Sequence, residues 1–94
     1  MNNSGLKTYA LKDFKTGDRV VVVNVDHGGA SGKQYLGALA VINEIAVDTY
    51  RHYPFVLDFV TGGRLHMLFV AEDLVPETTY KCRYKKLVAK RKAS

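Results

Sequence analysis

Val20-Val21-Val22-Val23 is the stretch that most limits what this chain can fold into. A valine branched at Cβ sits well on a pleated strand and crowds the preceding turn of a helix. Strand side chains alternate between two faces, so four valines in a row imply burial on both faces, or a strand bent over a small barrel. Thr16-Gly17-Asp18 reads as the turn that introduces this strand, which is expected to continue through Val25. The run is far shorter than the roughly 20 apolar residues that span a bilayer. The opening MNNSGLKTYA carries no apolar stretch of signal-peptide length. The expectation is a cytoplasmic protein, neither secreted nor membrane-embedded.

A chain of 94 residues, 47% of them hydrophobic, supplies one small core and little room for a deep substrate cavity. Cys82 is the only cysteine, so no internal disulfide forms, and a reducing compartment fits.

Several further elements are legible. Leu6 to Phe14 is ambiguous between a helical turn and a loose strand. Asp26 to Tyr35 is a glycine-rich loop, and Leu36 to Val47 favours a strand because β-branched residues follow Gly37. Asp48 to Pro54 is polar. Phe55, Leu57 and Phe59 alternate with Val56, Asp58 and Val60; Thr61-Gly62-Gly63 supplies a tight turn, and Leu65, Met67 and Phe69 alternate on the return. Ala71 to Pro76 is a short turn that brings Leu74 to the core. Tyr80, Cys82 and Tyr84 alternate with Lys81, Arg83 and Lys85, which predicts a last strand with a cationic outer face, followed by a fraying LVAKRKAS tail.

Short strands separated by glycine-bearing loops predict a mainly all-β chain, a small barrel of about five strands. FKTGDRVVVV, the glycine-rich loop, GALAVINEI, YPFVLDF, the hairpin and FVAEDLVP, in that order, resemble the SH3-like barrel superfamily over Phe14 to Pro76. GDRVVVV with a later glycine is similar to the KOW type, and YPFVLDF with FVAEDL is similar to small barrels that cover larger assemblies. The resemblance implies an SH3-like barrel in which Gly37 bends the second strand. The expected organisation is an N-terminal extension over 1–13, the barrel over 14–84 and a basic tail over 85–94. The expected loop at Asp26 to Tyr35 is longer than a minimal KOW turn, and the aromatic set used against proline-rich peptides is absent.

The candidate sites are few. HGGASGKQY imitates a phosphate-binding loop, but the pattern's first glycine falls on His27 and Gln34 stands where the magnesium-holding hydroxyl belongs. It reads instead as a flexible loop, from which Lys33 and Tyr35 can still touch a ligand. His27, His52 and His66 are scattered and Cys82 is the sole thiol, so no metal site is expected. Asp58 reads as an outward-facing polar residue, and Glu72 and Asp73 as caps of the turn before Leu74. No nucleophile–base or carboxylate pair is legible, so no catalytic residue and no cofactor are expected. Tyr50, Arg51 and His52 form an aromatic-basic cluster suited to stacking on bases or on a partner.

Charge placement carries the functional reading. Residues 1–80 hold seven Lys/Arg against nine Asp/Glu, a net −2, whereas Lys81, Arg83, Lys85, Lys86, Lys90, Arg91 and Lys92 give the last fourteen residues +7. Such asymmetry suits a polyanion-binding arm, and lysines beside phosphates release condensed counterions. The first expectation is a non-catalytic barrel module that binds DNA or RNA electrostatically through these seven cations, in a transcription, translation or regulatory setting. Base readout is not expected, because no recognition helix is legible. The alternative is a protein–protein adaptor of the accessory or phage regulatory type, docking an acidic protein surface; that rests on fold-level analogy.

Overall fold

The computed structural model describes residues 9–24, 35–48, 54–60 and 63–93. A 3₁₀ turn at Leu11–Asp13 leads in, closed by Ala10 N–H donating to Asp13 Oδ2 at 2.8 Å. The chain then reverses at Lys15–Asp18, where Gly17 takes φ +95° and Lys15 N–H donates to Asp18 Oδ2 at 3.0 Å. Five strands come next: β1 (Arg19–Val22), β2 (Leu39–Ile45), β3 (Phe55–Phe59), β4 (Arg64–Phe69) and β5 (Leu74–Pro76).

All neighbouring strands pair antiparallel in the order β4-β3-β2-β1-β5. Val20 faces Ala40 across β1–β2, and Val21 faces Val75 across β1–β5. Register irregularities fall between Ile42 and Glu44 on β2 and between Phe55 and Leu57 on β3, and such bulges bend a sheet. β3 and β4 pair antiparallel as a hairpin, with Phe55 opposite Phe69 and Asp58 opposite Arg64. Gly63 takes φ +97° and its carbonyl accepts from Phe59 N–H at 2.9 Å; Thr61 and Gly62 lie outside the described residues.

The valine run is buried on both faces. Val20 and Val22 join Phe14, Ile42, Phe55, Leu57, Phe69 and Leu74 in one core; Val21 and Val23 join Leu36, Val75, Tyr84 and Val88 in a second. Phe14 meets Phe55 edge-on at 5.6 Å between ring centroids. Each fully buried aliphatic side chain of this kind contributes about 1.5–3 kcal/mol relative to exposure.

The expected all-β barrel is overturned. The sheet is open, with four strands of four or more residues and the three-residue β5, and a 17-residue C-terminal helix makes the fold α+β. That helix consists of Glu77–Thr79, a π-helical turn at Tyr80–Tyr84, and Lys85–Ala93. The segment expected to be the last strand is therefore helical, and so is most of the tail expected to fray. The physical reason is that Tyr80 and Tyr84 satisfy both an alternating and an i,i+4 pattern. Val88 extends the second pattern by another turn, and Leu87 and Arg91 flank it. All five are at least partly buried, Val88 to 1% exposure and Tyr84 to 4%. Pro76, with φ −58°, ends β5 and starts the helix, which contains no glycine or proline of its own.

Gly37 also departs from its expected role. It lies before β2, with φ +83°, in a turn that passes beneath the helix. A Cβ there would sit 3.4 Å from Val88 Cγ1 and 3.6 Å from the Tyr80 hydroxyl.

Candidate nucleic-acid interface

Three contacts fix the helix to the body of the fold. Its start is tied to β1 by Arg19 Nε donating to Glu77 Oε1 at 2.8 Å. Tyr9 and Thr79 share a hydroxyl–hydroxyl hydrogen bond at 3.2 Å. Near its end, Arg91 Nη1 donates to the Val23 carbonyl, which lies just past β1. Glu77 in the first turn and Lys90, Arg91 and Lys92 in the last match the helix dipole.

Electrostatics at the helix start derive from this geometry. The hydrogen bond from Arg19 holds the Glu77 carboxyl below the usual carboxylate range, helped by the charges of Arg19 and Lys81. Arg19 is raised in turn by its hydrogen bond to Glu77. Lys81 Nζ stands 3.8 Å from Glu77 Oε2, one turn along, with its side chain 70% exposed. Burial pushes the Tyr84 phenol above the ordinary tyrosine value, with the neighbouring Tyr9 adding to the effect.

With one face on the sheet, the helix turns its cations outward. Lys81, Arg83, Lys85, Lys86, Lys90 and Lys92 are all exposed, while Arg91 is half-buried against the sheet and serves the fold. Lys85, Lys86 and Lys92 make no ion pair among the described residues. Lys81, Cys82, Arg83, Lys85, Lys86 and Ala89 line one shallow depression on the outer face; four of the six are cations and none is an acid. Of the expected set, six residues thus share an exposed helical surface and Arg91 leaves it. Cys82 and Ala89, the small residues at the floor, do not stand out in the sequence because strand periodicity gives them no common side. A helical period places Ala89 seven residues, two turns, after Cys82.

The other expected contacts divide differently. Tyr35 is half-buried against the first core, 5.7 Å from the Phe59 ring and 5.9 Å from the Phe69 ring between centroids. Lys33, Tyr50, Arg51, His52 and His27 lie outside the described residues. Asp58 accepts from Asn43 Nδ2 at 3.1 Å across β2 and β3. Glu72 is exposed and Asp73 fully buried, and the turn they belong to, Ala71–Asp73, has no side-chain cap at its start. Among the described residues no three His, Cys, Asp or Glu converge as metal ligands, and no helix is long and apolar enough to cross a membrane. Comparison of the chain with protein-family models, with curated proteins and with solved structures finds no match.

Proposed function

We propose that this chain is a non-catalytic nucleic-acid-binding module that lays the outer face of its C-terminal helix along phosphates. The observation that carries the reading is the depression framed by Lys81, Arg83, Lys85 and Lys86 with no acid in its lining. Its cations stand on a helix anchored by Val88 and Tyr84, so they are held in place rather than carried on a loose tail. Preplaced charges bind a polyanion without the entropic cost of ordering a segment first.

The test is fluorescence anisotropy with labelled DNA and RNA over a salt series. Four phosphate contacts give a log–log slope of about −3.6 on duplex DNA. Removing two of them with Lys85→Gln and Lys86→Gln reduces the slope by about 2. Both side chains are exposed, and an unchanged melting curve confirms that the fold persists. Absence of binding to any nucleic acid at low salt overturns the reading, and recovery of a stoichiometric acidic protein after nuclease treatment then assigns the face to that partner.

A further inference from the structure

We infer that the polyanion is B-form duplex DNA and that the helix seats in its major groove; the inference rests on the nucleic-acid reading of the same face. The helix is 17 residues long, about 25 Å at 1.5 Å per residue. Lys81 and Lys85 stand about one turn apart in one row, and Lys86 is turned from Lys85 by about 100°. Cations spread over such an arc reach phosphates on two strands, as a helix does within a groove about 12 Å wide. Between them the floor is small, made of exposed Cys82 and Ala89, so the helix backbone can approach closely.

The alternatives fit this face less well. Single strands are held largely by stacking bases on aromatic rings. Both tyrosines of the helix are turned to the sheet, where Tyr84 is buried and Tyr80 packs beside it in the second core. An RNA duplex has a major groove too deep and narrow for side chains to read, and it is met mainly across its shallow minor groove.

The experiment measures anisotropy of the full chain with four probes of about 20 nucleotides or base pairs at about 50 mM salt. The probes are a DNA duplex, its single strand, an RNA duplex, and a DNA duplex whose cytosines carry C5-hydroxymethyl groups bearing glucose, which fill the major groove. With per-contact exponents of about 0.9 and 0.7 over four contacts, duplex DNA binds about tenfold tighter than its single strand. The glucosylated duplex and the RNA duplex bind more weakly than the plain DNA duplex, because the major groove is filled in the first and too deep and narrow in the second. Equal binding of duplex and single strand, of DNA and RNA duplexes, or of plain and glucosylated duplex overturns the groove and leaves the nucleic-acid reading standing. No binding to any probe overturns both.

Discussion

Gly37 and Glu77 act at the helix by different means, one through its backbone conformation and the other through its charge. Gly37 has φ +83°, where L side chains are strained, and a Cβ would meet Val88 Cγ1 at 3.4 Å. Gly37→Ala is therefore expected to destabilise the fold by about 1–2 kcal/mol from backbone strain alone, read as a lower urea midpoint. Gly17→Ala carries comparable strain with no atom within 4 Å of its Cβ position, and because the nearest contact at Gly37 is ordinary van der Waals contact, the two variants should lose similar stability. Glu77 yields a pH prediction whose sign is set by its lowered pKa. A carboxylate depressed in the folded state stabilises above its unfolded value, and that contribution disappears as pH falls through the folded value. Wild type should thus exceed Glu77→Gln in melting temperature at neutral pH. The two curves should converge below the ordinary carboxylate range, and salt should narrow the neutral gap because the pair is exposed to solvent. A gap that persists in acid would mean that Glu77 acts through packing instead.

Neighbouring positions on the helix should respond very differently, because the element has a buried face and a wet one. Val88 is 1% exposed in the second core, and Val88→Ala removes two methyl groups, costing about 2 kcal/mol. Ala89 is exposed, and Ala89→Ser costs only its helix propensity, about 0.5 kcal/mol. Equal urea midpoints for the two variants would contradict the orientation of the helix. The same element shows where the sequence is legible and where it is not. The valine run announces burial on both faces, and the β3–β4 hairpin is readable from Phe55-Val56-Leu57-Asp58-Phe59 and the glycines after it. Both signals are local, since a strand's period of two completes within five residues. The helix escapes such a reading because Tyr80, Cys82 and Tyr84 alone cannot separate a period of two from one of 3.6. Val88, which settles the question, lies in a segment so cationic that it reads as solvated tail. What the valine run cannot reveal is which element covers each face. Val21 and Val23 would be buried equally well by a second sheet, and only the spacing from Tyr80 to Val88 makes the cover a helix. The cations of the site are identifiable from charge alone, but their arrangement depends on that hidden period, and so Cys82 and Ala89 escape notice. Arg91 falls among the expected contacts because nothing in a sequence distinguishes a cation facing water from one bonded to the Val23 carbonyl.

At the scale of the whole molecule the charges are sorted in space as well as in sequence. Seven of the 14 Lys/Arg fall in the last fourteen residues, which contain no acid, and the helix carries most of them on the side away from the sheet. If net charge governed association with polyanions, any two lysines would be equivalent. If placement governs it, they are not, because fields from exposed charges fade over a Debye length of about 8–10 Å at ordinary ionic strength. Two double variants separate these cases at equal cost in charge. Lys12→Gln with Lys15→Gln removes two exposed cations near the N-terminal turns; Lys85→Gln with Lys86→Gln removes two from the helix depression. Each lowers the formal charge of +5 by the same amount. On a heparin column the first pair should elute close to wild type and the second at clearly lower salt, because only the second takes cations from neighbours that act on the same stretch of polyanion. Equal shifts would mean that the molecule meets polyanions as a diffuse positive body, with no privileged face for a phosphate backbone to find.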